Sequence, residues 1–454
     1  MFSAKDGFNS MEFGITPYYL AEAHGDESIG AGEVFFDITV DRNNYLTPIT
    51  MSYTAGAATG QINQSTYNTG INWTTELQYG GLERPYLYCI DRDSANNYYV
   101  GGSLYTSSDP SPVYEWYIGK FNSVGQRVWE AQEKFSYPVQ SDSIDLIAVQ
   151  DNDANVYAAA NLGAAGGSTP LDAILNSYAS GGSLNWSKQL TGCDKITGLA
   201  TVGTNIYTVS SNYTTGGVQL TKWSTTPTAV WSRAITYTSH TLKGGPVAVD
   251  SSGNVYVGVY ENLGGATDVW YLIKYNSSGT LQWQQVFDQV SAQPDAFTFD
   301  NSDNLYVACE TYDTVPYDAW YAKITPAGAI SWQFALQNTL SVTTPLACFP
   351  YSLHWVKGPP GGVNGILYSA VAKSDTWVVP NGGLRGYLFK IPDDNSITPG
   401  AYGEFTIATT SYTFSTSTLT SASLTQAFAN SGATFNTLTT SQSPSGFRFE
   451  KTLL

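Results

Sequence analysis

Histidine and cysteine are almost missing from this chain. Of 454 residues, three are His and four are Cys. The histidines (His24, His240, His354) and cysteines (Cys89, Cys193, Cys309, Cys348) are scattered, and no CxxC occurs. A zinc centre needs clustered N and S ligands, so none is expected, and neither is a disulfide framework. Positive charge is also scarce: 20 Lys and Arg stand against 37 Asp and Glu, a formal charge of −17. Nucleic-acid affinity comes mainly from basic side chains on phosphates, and anionic membrane surfaces attract the same residues, so neither partner is expected. The acidic excess is read as a solubility device, with a cationic partner as the alternative. No apolar run approaches the about 18 residues of a spanning helix. The first residues, MFSAKDGFNSMEFG, lack the basic and apolar regions of a signal peptide. Helical periodicity is nearly absent as well, and an all-β fold follows.

What the chain has instead is repetition. The stretch 247–288, VAVDSSGNVYVGVYENLGGATDVWYLIKYNSSGTLQWQQVFD, contains four short β-branched and aromatic runs separated by Gly/Asn/Asp/Ser turns. This is the pattern of antiparallel strands joined by hairpins. In the third run Val269, Tyr271, Ile273 and Tyr275 alternate with Trp270, Leu272 and Lys274, so both faces call for cover. One sheet cannot bury two faces alone.

The rest of the chain supplies similar sheets. A second-strand tyrosine recurs at Tyr45, Tyr99, Tyr157, Tyr207, Tyr256, Tyr306 and Tyr368, and the first six follow an asparagine two places earlier. A fourth-strand tryptophan recurs as Trp73, Trp129, Trp186, Trp231, Trp283 and Trp332, with Gly125, Gly182, Gly279 and Gly328 four places before their tryptophans. A third-strand lysine recurs as Lys120, Lys222, Lys274, Lys323 and Lys390. Self-similarity at this period, four strands per unit, predicts a β-propeller. The units run 33–79, 84–135, 141–190, 193–236, 243–288, 292–337 and 344–402, which makes seven four-stranded blades, with six or eight as alternatives. Residues 1–32 form an N-terminal arm, 33–402 the propeller, and 403–454 a closing strand and C-terminal extension.

The anchors read as structure. Asp93, Asp151, Asp250 and Asp300 lie six residues before their tyrosines, where a carboxylate accepts turn N–H groups and the neighbouring Asn tolerates a left-handed backbone. A calcium loop is the alternative at Asp91-Arg-Asp93 and Asp151-Asn-Asp153, without EF-hand spacing. The tryptophans are expected to wedge between blades. The seventh unit lacks a Trp strand, and an open edge is a liability. Either 403–409 (the nearer, preferred) or Met11–Leu20 is expected to complete it. The tail beyond Thr410 is rich in Ser and Thr, and its Leu419, Leu424, Phe428, Phe435 and Leu438 are too sparse for a core; it is expected to pack on the propeller or a neighbouring chain.

The pattern DSSGNVYV…YLIKYNSSGTLQW at 250–283 resembles the SBBP-type β-propeller repeats of bacterial and viral proteins. The Ser/Thr-Leu-Thr tail resembles tails of tailed-bacteriophage structural proteins. Together these resemblances imply a virion component: a tail, fibre, nozzle-like or head-decorating protein, acting as a rigid adaptor or host-surface adhesin. They imply contacts to other virion proteins through the termini, a symmetric assembly, and a host glycan or protein as possible receptor. The elements NSSGTLQW, NSVGQRVW and TPAGAISW are similar to the tryptophan-docking repeats of quinoprotein dehydrogenases, but the cysteine pair of that cofactor pocket is absent. No cofactor, metal or catalytic residue is assigned, and the protein is read as not an enzyme. The alternatives are a secreted carbohydrate-binding propeller or a glycan-degrading enzyme, which needs two converging carboxylates. Glu261, Asp268, Glu310, Asp313 and Asp318 are the loop acids available. The unrepeated loops 103–114 and 310–318, the divergent seventh unit and the two ends are where a site is sought.

Overall fold

A computed structural model describes residues 18–23, 33–40, 45–54, 57–66, 70–77, 84–106, 113–133, 141–163, 173–190, 192–212, 216–238, 240–261, 269–289, 291–311, 318–338, 348–357, 365–374, 384–394, 396–402, 405–417, 419–424, 429–430 and 435–437. Among these residues there are strands and turns and no helix. Strand β1 is Tyr18–Ala23. The first unit is β2 (Glu33–Val40), β3 (Tyr45–Thr54), β4 (Ala57–Thr66) and β5 (Gly70–Leu77). The second is β6 (Arg84–Arg92), β7 (Tyr98–Thr106), β8 (Val113–Phe121) and β9 (Arg127–Glu133). The third is β10 (Ser141–Val149), β11 (Asn155–Gly163), β12 (Ala173–Ala179) and β13 (Leu184–Leu190). The fourth is β14 (Cys193–Val202), β15 (Asn205–Asn212), β16 (Gly217–Trp223) and β17 (Ala229–Thr236). The fifth is β18 (Leu242–Val249), β19 (Val255–Glu261), β20 (Trp270–Tyr275) and β21 (Leu281–Phe287). The sixth is β22 (Ala292–Phe299), β23 (Leu305–Thr311), β24 (Asp318–Ile324) and β25 (Ile330–Asn338). The seventh has three strands, β26 (Cys348–Val356), β27 (Ile366–Ser374) and β28 (Leu384–Pro392).

Each unit is an antiparallel meander, and successive units stack face to face around an axis. β2 packs on β6, β6 on β10, β10 on β14, β14 on β18, β18 on β22, β22 on β26, and β26 returns to β2. This is a β-propeller. The expectation of seven separate blades is corrected to six sheets. A single parallel pair, Glu33 with Arg385, links β2 to β28 and joins the first and seventh units into one eight-stranded sheet.

The closing strand is also corrected. β1 from the N-terminal arm pairs antiparallel with β28, from Tyr18 opposite Lys390 to Ala23 opposite Gly386. The preferred 403–409 segment goes elsewhere: β30 (Phe405–Thr409), with β29 (Gly400–Tyr402) folded onto it, pairs with β25 of the sixth unit. The chain then retraces its path along the outer rim. β31 (Ser415–Thr416) adds to β21, β32 (Thr420–Ser423) to β17, β33 (Ala429–Asn430) to β13, and β34 (Phe435–Thr437) to β9. The tail is therefore a belt. It visits units six, five, four, three and two in that order and caps the outermost strand of each. A free sheet edge exposes unpaired N–H and C=O groups, so these short Ser/Thr strands answer a backbone requirement without needing a core of their own.

The inner strands share an unannounced feature. In all seven the register slips near the same place: between Phe35 and Asp37, Leu87 and Cys89, Ile144 and Leu146, Ile196 and Gly198, Gly244 and Val247, Pro294 and Ala296, and Pro350 and Ser352. A bulge leaves one residue unpaired and sharpens the local twist, here where the strands crowd around the axis.

Candidate functional site

The repeat anchors converge at the junctions between units. In the sixth unit Asp300 accepts hydrogen bonds from the amides of Ser302 (2.9 Å) and Asn304 (2.9 Å), from the Asn304 carboxamide (2.9 Å to Oδ2) and from the Tyr306 hydroxyl (3.1 Å). Lys323 Nζ lies 3.1 Å from Asp300 Oδ2 and sits over the Tyr306 ring. Burial would raise the Asp300 pKa, but Asn304, Lys323 and Ser302 outweigh it and hold the carboxyl below its usual range. From this group the lysine and the tryptophan reach forward together. Lys323 Nζ and Trp332 Nε1 both donate to the Asp393 carbonyl of the seventh unit, at 3.4 and 3.2 Å.

The same latch recurs. Lys274 and Trp283 share the carbonyl of Pro326, Lys222 and Trp231 that of Ser277, and Lys120 and Trp129 that of Ser180. Each acceptor lies in or just past the third-strand turn of the next unit. The glycine before the tryptophan belongs to the same joint. Gly182 (φ 94°) and Gly279 (φ 76°) have left-handed backbones, and a Cβ on either would sit 2.7 Å from the preceding unit's Trp129 or Trp231.

Two expectations are refined. The anchor asparagine is not the left-handed residue; Asn96, Gly253 and Asp303, one place earlier, are. Asn97, Asn254 and Asn304 instead donate their side chains to the turn aspartate. Asp151 departs from the pattern. Gln150 occupies the turn position, accepting from Asn155 Nδ2 at 2.8 Å, while Asp151 reaches the Gly203 amide of the next unit at 2.6 Å. The calcium reading of Asp91–Asp93 and Asp151–Asp153 gains no support from this geometry: Asp91 Oδ2 takes the Val149 amide at 2.8 Å and Asp93 takes its own turn. Among the described residues no three His, Cys, Asp or Glu converge as a metal site would require.

With the anchors accounted for, the inner strands hold the most perturbed acids. Asp37 accepts from Ile38 (2.8 Å) and, across the junction, from Ile90 (3.0 Å); Asp91 repeats the motif toward Val149. Burial raises the first to about 7 and the second to about 6, against opposing hydrogen bonds. Burial, then Arg92, lowers His354 to about 4. Ion pairs Lys195–Asp145 (3.1 Å) and Lys243–Asp194 (3.0 Å) bridge successive inner strands.

One pair of acidic residues comes close enough to interact electrostatically. Asp295, the bulged residue of β22, accepts the Glu310 amide at 2.9 Å. Burial first, and then the charge of Glu310, push Asp295 well above the usual carboxylate range. Tyr351, the bulged residue of β26, is 38 % exposed as a residue, yet its phenol oxygen is raised to about 12 by burial and by these two carboxylates. Burial and the charge of Glu310 thus both favour the protonated form of Asp295. Of the described loop acids singled out in the sequence, Glu310 joins this cluster and Glu261 and Asp318 do not. Glu261 accepts from Tyr271 and pairs with His240 at 3.1 Å. Asp318 accepts from Gln337 at 2.7 Å, and burial raises it to about 6. Asp268, Asp313 and the parts 107–112 and 312–317 of the loops 103–114 and 310–318 lie outside the described residues. Asp295 escapes a sequence reading because the bulge breaks strand alternation; the Pro294-Asp295 step is its one visible trace.

No family model matches this sequence, and no curated protein matches it. Solved structures do. A protein of unknown function from Dyadobacter fermentans is 8% identical over 83% of this chain and 99% of its own, with a TM-score of 0.41. A eukaryotic initiation factor is 11% identical over 79% of this chain and 89% of its own, with a TM-score of 0.34. The tail fibre of Staphylococcus aureus phage P68 is 8% identical over 80% of this chain and 94% of its own, with a TM-score of 0.26. At these values none of the three carries an argument about function.

Proposed function

We propose that the protein is a non-catalytic structural component of a tailed-bacteriophage particle, an SBBP-type propeller serving as a rigid adaptor or host-surface adhesin in a tail, fibre, nozzle-like or decorating position. The observation that carries this reading is the double fastening of the sheets. At four junctions the repeated lysine and tryptophan join one unit to the next, and the C-terminal extension binds five sheets from outside. Such a disc resists deformation and leaves its unrepeated surfaces for contact. The Ser/Thr-rich tail, similar to those of phage structural proteins, supports the same reading. Contacts with other virion proteins in a symmetric assembly belong to the proposal. Since β30 to β34 are engaged on their own propeller, those contacts are assigned to the ends outside 18–437 and to the loops. Mass spectrometry of purified particles is the test. The chain is expected as a stoichiometric component, and its absence from particles ends the proposal.

A second reading, a glycan-cleaving propeller, is favoured by one observation, the approach of Asp295 and Glu310. Hydrolysis of a polysaccharide panel by the wild type, lost in both Asp295→Asn and Glu310→Gln, would replace the non-catalytic reading.

A further inference from the structure

The belt crosses from one sheet to the next at several points, and two of these crossings differ. Between the fifth and fourth units the crossing is filled. Leu419 is buried among Tyr207, Val209, Tyr275 and Val286, while Gln284 Nε2 donates to the carbonyls of Ser417 (3.3 Å) and Leu419 (2.9 Å). Between the sixth and fifth units the belt's large side chains leave the crossing partly open. Tyr412 and Phe414 join Trp270, Phe287 and Trp320 in an aromatic cluster. Gln333 clamps the backbone there, donating to the Tyr412 carbonyl (2.8 Å) and accepting its amide (3.1 Å). What remains is an open groove of about 600 Å³ between the 328–333 hairpin, Gln285 of β21 and belt residues 409–414.

The chemistry of this groove is restrictive. No lining residue is an acid, a lysine, an arginine or a histidine, so an ionic ligand finds no counter-charge. Its walls are hydroxyls and amides beside half-buried aromatic residues of the belt: Ser331, Thr409, Ser411 and Gln285 with Tyr412 and Phe414. Gln285 Oε1 is buried in the groove wall without a hydrogen-bond partner, an unmet acceptor that a turn of the carboxamide toward the groove would offer to a donor. Gly328 leaves the carboxamide its room on the other side, since a Cβ on that glycine would sit 2.7 Å from Gln285 Nε2. The volume falls within the about 300–1,000 Å³ of small-molecule sites. Hydroxyls that donate and accept, with an apolar ring face, match such a lining.

We propose that the groove between the sixth unit and the belt binds a neutral saccharide, a short stretch of an uncharged glycan. The proposal deepens the adhesin side of the function proposed above and rests on that reading only for its biological setting. The test uses the isolated full-length chain, so its failure leaves particle membership untouched. Isothermal titration and tryptophan fluorescence are run with maltotetraose, cellotetraose, mannotetraose and chitotetraose, and with sialyllactose as an anionic probe. At least one neutral probe is expected to bind with a Kd of about 1 mM or tighter. Gln285→Ala is expected to weaken it about tenfold, the loss of roughly one buried hydrogen bond. Ser331→Trp, a change at an exposed position that fills the groove, is expected to abolish binding while leaving the melting temperature unchanged. The proposal is overturned if no neutral probe binds at that level, if sialyllactose binds better, or if a folded Ser331→Trp chain binds as the wild type does.

Discussion

Two devices hold the sheets of this propeller together, and they differ in almost every respect. The latch between units is made of side chains: an aspartate-centred turn, a lysine over a tyrosine, and an indole reaching the next unit's carbonyl. The belt is made mainly of backbone, a run of strands two to five residues long laid on sheet edges. The latch repeats because each junction poses the same geometric problem to the same residue types. The belt does not repeat in sequence because an edge accepts any residue that can extend its backbone. Rigidity around the ring can thus be encoded twice, once with a conspicuous signature and once with hardly any.

Removing residues 410–454 is expected to have the largest effect on this contrast. The truncation uncovers the outer strands of four units, β9, β13, β17 and β21, and bare edges recruit other edges. Concentration-dependent self-association by light scattering is expected, with a lowered melting temperature. A monomer as stable as the full chain would show that the latch alone suffices. Next in size is Trp332→Ala. Trp332 is 6% exposed and donates to Asp393, so its loss is expected to cost about 3–5 kcal/mol in denaturant unfolding. A cost under about 1 kcal/mol would move the stability of that junction to the belt.

The latch also contains its own internal comparison. Lys323 faces Asp300 at 3.1 Å, whereas Lys222 is held by the Ser277 carbonyl and the Tyr207 ring, and burial lowers its pKa. Lys323→Met leaves a carboxylate without its cation and is expected to destabilise by about 1–3 kcal/mol. Lys222→Met removes a charge that burial disfavours and is expected to stay within about 0.5 kcal/mol of wild type. Equal effects in urea titrations would show that the carboxylate does not matter to the joint.

The smallest expected effect concerns pH. Asp37 and Asp91 have folded pKa values of about 7 and about 6, above the ordinary 3.8. A raised pKa stabilises the fold below the ordinary value, and that contribution is lost as pH rises through 6 to 7. Asp300 is depressed, so its contribution is present above about 4 and lost on further acidification. A melting temperature that falls by a few degrees between pH 5 and 8, with Asp37→Asn flattening the fall, is expected. A rise over that range would place the inner-strand aspartates in a different ionisation state.

The contrast also explains what the sequence revealed. Tyr256, Trp283 and Lys274 were legible because a side chain that must meet the same neighbour recurs at the same spacing. The all-β propeller follows from them. Closure by β1 was only partly legible: the alternative strand Met11–Leu20 overlaps it at Tyr18–Leu20, but pairing with β28 demands only an extended backbone, and proximity in sequence favoured 403–409. The sheet count depended on one bridge, Glu33 with Arg385, which no composition records. The inner bulges hid Asp295 by shifting it out of the alternation that makes strand faces readable, so that only half of the acidic pair, Glu310, could be singled out.

The belt's direction has a mechanical consequence. Its strands attach in series, from β30 near the sixth unit to β34 on the second, and each holds by two to five residues. A pull on the C-terminal end loads β34 first and the others only after it has let go, like a strip peeled from a curved surface. Force is then resisted by one small contact at a time, at low and roughly constant load, while the ring beneath stays closed. Optical-tweezer extension from the C-terminus should show up to five short, reversible steps before any large unfolding event.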